Sequence, residues 1–130
     1  MMNSVKYSVL TDKTPAQAIE ALKAELAKQS FGVLWELDFK EKLKEKGIEA
    51  DIEFHLLEVC NPSKAKVALE EDIETGYFLP CRAVVYVKEG KTRMGLLKPT
   101  VLLMEAASPA LMAVAHEVEA VLEDALVKAR

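Results

Sequence analysis

Cysteine is scarce in this sequence: Cys60 and Cys81 are the two thiols among 130 residues. Two thiols do not make the disulfide framework on which small secreted domains depend, so reduced side chains are expected. The start of the chain lacks a charged head followed by a long apolar stretch. Val5, Tyr7 and Val9 instead alternate with Lys6 and Ser8, no export signal is visible, and a cytoplasmic location is expected. Long apolar runs are missing as well. The longest, Ala110 to Ala115, falls far short of the ~20 residues that span a bilayer, so no membrane is expected. An excess of positive charge is also missing, since 17 Lys and Arg stand against 21 Asp and Glu for a net charge of −4, mixed along the chain. Such a surface has no basic stripe to neutralise phosphates, and nucleic acid is not an expected partner. Glycine is thin, with 5 residues, and no phosphate-cradling loop, nucleophile elbow or dinucleotide fingerprint occurs. His55 and His116 stand at no zinc-like spacing from each other or from the cysteines, so no metal is expected. Asn and Gln are confined to Asn3, Asn61, Gln17 and Gln29, a bias often seen in heat-adapted proteins.

What is present is apolar residue, at 51%, enough for one core and hence one domain over residues 1–130. Alternation predicts a first strand over Val5 to Leu10. Thr14, Pro15 and Gln17 read as N-cap, first helical residue and capping box, opening a helix with Ile19, Leu22 and Leu26 on one face. Phe31 to Phe39 is rich in β-formers and predicts a second strand, with Val33, Trp35, Leu37 and Phe39 on one side and Trp35 expected to pack in the core. Lys40 to Lys46 suits a short solvated helix closed by Gly47. A third strand is expected from Ile52 through Val59. Asn61 and Pro62 then cap and open a helix to Glu71, whose acidic end opposes the helix dipole unless a cation is near. Cys81 to Val87 and Thr92 to Leu97 flank Lys88-Glu89-Gly90-Lys91, a hairpin signal. Thr100 to Ala106 reads as a further strand or as the continuation of the previous one. Ser108 and Pro109 start a last helix to about Lys128, striped by Leu111, Ala115, Val118, Leu122 and Ala125, broad enough to cover a sheet or meet a partner. The class is α+β: a single, mainly antiparallel sheet packed against helices.

Cys60 precedes a predicted helix N-terminus and Cys81 opens a predicted strand. A thiol near a helix N-terminus can have its pKa lowered, which makes it a nucleophile, a redox centre or a soft ligand. The other reading, two small buried hydrophobes, stays open beside it. His55 should point away from Phe54 and Leu56, and His116 reads as a solvated helix residue. Glu36 and Asp38 share a face of the second strand, with Glu58 on a neighbouring strand. They form either a carboxylate cluster for acid–base work or a solvated sheet face, and antiparallel sheets commonly leave one face wet.

The segments Phe31 to Asp38, Cys60-Asn61-Pro62 with Ala65 and Ala68-Leu69 following, and Leu79-Pro80-Cys81 resemble, in this order and spacing, the domain-of-unknown-function 302 family. The resemblance covers most of the chain, with Trp35 standing where a small polar residue is more usual. It implies a TATA-binding-protein-like fold, a β-α-β(4)-α core with short extra helices, and a homodimer. It implies no activity, and no cofactor follows from it. Two functions are therefore expected in competition. One is a small binding or assembly domain with a ligand cleft near Cys60, neighboured by Asn61, Pro62, Pro80, Glu36 and Asp38. The other is a thiol-based redox, sulfur-carrier or soft-metal-binding protein using Cys60 and Cys81.

Overall fold

Tyr7 and Val9, spaced to line one side of a strand, do so in β1 (Lys6–Thr11), and Thr14 then opens α1 (Pro15–Lys28). The capping box is complete. The Gln17 N–H donates to Thr14 Oγ1 at 3.2 Å, and the Thr14 N–H donates to Gln17 Oε1 at 3.0 Å. The helix closes through paired bonds from Ser30 N–H to the Ala27 carbonyl and from Phe31 N–H to the Leu26 carbonyl, with Ser30 at a φ of 65°. β2 (Gly32–Asp38) runs directly into α2 (Phe39–Glu45), which Asp38 caps by accepting from the Glu41 N–H. β3 (Phe54–Cys60), α3 (Pro62–Glu71), a 3₁₀ segment (Ile73–Phe78), β4 (Cys81–Lys88), β5 (Lys91–Leu97), α4 (Pro99–Leu103) and α5 (Pro109–Ala129) complete the order. This computed structural model describes residues 5–103 and 107–130.

The five strands form one antiparallel, open sheet in the order β1-β5-β4-β3-β2. The α+β class expected from the sequence is the class observed. Lys88 pairs with Lys91 across Glu89 and Gly90, whose φ angles of 55° and 73° make the two-residue turn that matches strand twist. Helices α1 and α5 cover one face. Leu22 and Leu26 of α1 and Leu122, Ala125 and Leu126 of α5 are buried against Val9, Leu57, Val59, Ala83, Val85, Met94 and Leu96. The broad stripe of the last helix is thus used within its own chain.

Four expectations need correction. Thr100 to Ala106 is not a strand: residues 99–103 are helical, and 104–106 lie outside the described residues. The reason is Pro99. The Lys98 N–H still donates to the Val5 carbonyl at 2.8 Å, but a proline has no N–H to extend the ladder and is suited to open a helix. The third strand starts at Phe54, so Ile52 lies outside it. Trp35 is not in the core but 50% exposed. A bulge between Val33 and Trp35 inserts Leu34, so Val33 keeps the helix side while Trp35, opposite Glu58, turns to the other. The same bulge puts Glu36 opposite Leu57 and Asp38 opposite His55, on the helix-covered side and not on the wet face. The 3₁₀ segment was not foreseen from the sequence. The acidic end of α3 does find its cation, since Lys66 Nζ lies 3.2 Å from Glu70.

Candidate functional site

The sheet-facing residues of α3 are small: Ala68 is buried and Ala65 half-buried. Ala65 and Ala68 face the end of the sheet where longer side chains would fill the space, and the gap they leave is part of a cavity of about 410 Å³. Its floor is the first half of α5, through Leu111, Val114, Ala115 and Val118, with Leu97, Pro99 and Leu103 beside them. Phe78, Leu79 and Pro80 close another wall. The size falls within the usual ~300–1,000 Å³ of small-molecule pockets, and the lining has their usual character, mostly apolar with few polar groups.

Cys60, Asn61, Pro80 and Cys81, four of the residues singled out in the sequence, line this cavity. Pro62 opens α3 next to it without lining it. Glu36 and Asp38 do not reach it. Glu36 pairs with Lys23 of α1 at 2.6 Å, and this bond holds the lysine's pKa above its ordinary value. Asp38 caps α2 at 3.3 Å and lies 4.0 Å from His55 Nδ1, while His55 Nε2 is 3.1 Å from Glu53. Glu58, opposite Trp35, points to the other side of the sheet from Glu36, so the three carboxylates do not gather. His116 is exposed on α5. Among the described residues, no group of three or more His, Cys, Asp or Glu is placed to hold a metal ion.

Cys81 is registered opposite Val59, and Cys60 lies one step further along β3. Strand spacing and rise then put the two Cα atoms roughly 6 Å apart. That separation alone would allow a bridge, but the pleat sends Val59 and Cys60 to opposite faces, and both thiols are free. Both meet the cavity because it wraps around the sheet's end, taking in Glu58 and Arg82 from one face and Val59 and Cys81 from the other. The expected lowering of the thiol pKa is reversed. Burial raises Cys60, and it pushes Cys81 up to about 11 with help from a negative charge at Cys60. Desolvation opposes the thiolate, and here it exceeds any effect of the α3 N-terminus. At neutral pH both groups are thiols.

Lys64, Arg82, Thr75 and Tyr77 also line the cavity and were missed in the sequence. The 3₁₀ segment that carries Thr75 and Tyr77 has no periodicity to find. Arg82 was indistinguishable from any polar residue on the wet side of a strand.

A family model, "Domain of unknown function DUF302", matches residues 7–129. A crystal structure of an uncharacterized conserved protein DUF302 from Bacillus stearothermophilus is 40% identical, with a TM-score of 0.92, covering 97% of this chain and 98% of that one. None of the curated proteins matches.

Proposed function

The chain belongs to the domain of unknown function DUF302 family, and from that premise we propose that it is a small-molecule-binding domain whose ligand occupies the cavity beside Cys60. One observation carries this reading. The three separated segments that bear the family resemblance meet in that cavity, through Phe31, through Cys60, Asn61, Ala65 and Ala68, and through Leu79, Pro80 and Cys81. Packing alone would be served by larger residues than Ala65 and Ala68, which would fill the space. The raised pKa of both cysteines supports a lining role for them over a nucleophilic one. Free cysteines also support the cytoplasmic placement.

The domain acts as a homodimer in this reading. The family resemblance is one support, and the sheet face away from α1 and α5 is another, since Leu10 and Trp35 are each about half exposed there. A second copy of the chain laid on that face would cover both.

The cavity reading is tested by thermal unfolding of the wild type and Ala65→Phe against a panel of apolar metabolites. Compounds that stabilise the wild type by several degrees should not stabilise the filled variant. Equal stabilisation of both would move the site elsewhere, and no stabilisation by any compound would end the reading.

A further inference from the structure

We infer that the cavity takes a small apolar anion: a hydrocarbon or aromatic body among the α5 floor residues, with one carboxylate held at the mouth by Arg82. The inference rests on the cavity being the ligand site and names the class of ligand. Its basis is the distribution of charge around the lining. The charged residues there are two cations, Lys64 and Arg82, and one anion, Glu58, in a protein whose net charge is −4. Lys64 is already engaged, its Nζ 2.8 Å from a carboxylate oxygen of Glu117. Arg82 stands opposite Glu58 in the β3–β4 register, yet neither residue takes part in an ion pair among the described residues. Its side chain is exposed at the rim, while Leu103, Leu111, Ala115 and Val118 below are buried and apolar.

A guanidinium free at the edge of an apolar hollow offers two parallel N–H donors to one carboxylate, a geometry a hydroxyl cannot use as fully. The thiols of Cys60 and Cys81, held protonated by burial, add no negative charge to oppose such a ligand. A neutral apolar molecule would use the floor and leave Arg82 unused. An apolar cation would face Arg82 directly.

The test is calorimetric titration of the full chain with octanoate, 1-octanol and octylammonium at fixed ionic strength, on the wild type, Arg82→Gln and Ala65→Phe. Octanoate should bind the wild type at least about tenfold more tightly than octanol, as a charge-assisted hydrogen bond of ~1.5–3 kcal/mol implies, with octylammonium weakest. In Arg82→Gln the preference for octanoate over octanol should shrink to within about threefold. Ala65→Phe should weaken all three, with its fold checked by circular dichroism. Val114→Trp, from the α5 floor, gives the same readout if Ala65→Phe does not fold. Equal binding of octanoate and octanol, a preference for octylammonium, or a preference unchanged by Arg82→Gln overturns the anion class while the cavity reading stands. Binding undiminished in the filled variants overturns the cavity reading and the inference with it.

Discussion

At the scale of single residues, burial decides what the cysteines can do. Their positions in the sequence suggested activation by a helix end, but the sequence does not show how much solvent reaches a side chain. Cys81, at the start of a strand between Pro80 and Arg82, reads either as a reactive thiol or as a small buried hydrophobe, and in the structure it lies against the 3₁₀ segment and α5 at that end of the sheet. Its pKa of about 11, against an ordinary 9.0, has a consequence for stability. The unfolded chain ionises this thiol first. The stabilising contribution of the neutral thiol is complete below pH 9, falls as pH rises, and is gone once pH passes about 11. Urea denaturation between pH 8 and 11.5 should therefore show an alkaline loss of stability that is distinctly smaller in Cys81→Ala. A loss of equal steepness in both proteins would mean that Cys81 is more solvated than described. Cys60, which lines the same cavity but is less buried, should react with a chromogenic disulfide before Cys81 as pH is raised.

At the scale of elements, most of the fold was legible, because caps, turn glycines and alternation are local. Thr14 with Gln17, Asn61 with Pro62, Ser108 with Pro109 and the Glu89-Gly90 turn all lie where the sequence put them. In two of the failures a partner distant in sequence acted against a local pattern, joined in the first by Pro99. Thr100 to Leu103 has the composition of a strand, but it follows a proline at the end of a ladder, and both the Thr100 N–H and its hydroxyl bond to Glu119 of α5. In β2 the alternation was read without the extra residue that pairing with β3 leaves out. That residue gives a test. Deleting Leu34 should restore a regular ladder while leaving Val33 and Trp35 on the faces they already occupy. The deletion should fold, with a midpoint within a few degrees of the parent. Deleting Leu37 instead should unfold the strand, because it would throw Val33 and Trp35 onto the wrong faces. If the two deletions behaved alike, the bulge would not lie at Leu34.

At the scale of the whole molecule, the cavity could be named only by resemblance. Its walls come from β3, α3, the 3₁₀ segment, β4, β5, α4 and α5, and the α5 floor is about 30 residues further along the chain than Cys81 and Arg82, so that no local pattern joins them. The proposed dimer is likewise a property of a surface, and of the two uses open to the last helix, covering a sheet or meeting a partner, the structure shows the first. Its stripe of Leu111, Ala115, Val118, Leu122 and Ala125 is buried in its own chain, whereas Leu10 and Trp35, on the far side of the sheet, are among the exposed apolar residues. If the proposed dimer forms through that face, the wild type should be dimeric by light scattering at micromolar concentration and Trp35→Glu monomeric, with unchanged circular dichroism, since the side chain is half in solvent already. A wild type that is monomeric throughout, or a variant that remains dimeric, would place the contact elsewhere or remove it.

The placement of β1 at the edge beside β5 also bears on how the chain is made. Thr11 pairs with Thr92, so about 80 residues must be synthesised after the first strand before its neighbour exists, some 4–16 s at ~5–20 residues per second. Throughout that interval Val9 and Leu10 have no strand to join. The first strand of the sheet is thus seated long after it is made, once β5 exists. A nascent chain halted before Thr92 would present β1 as a loose edge, a target for holding chaperones and for proteases alike.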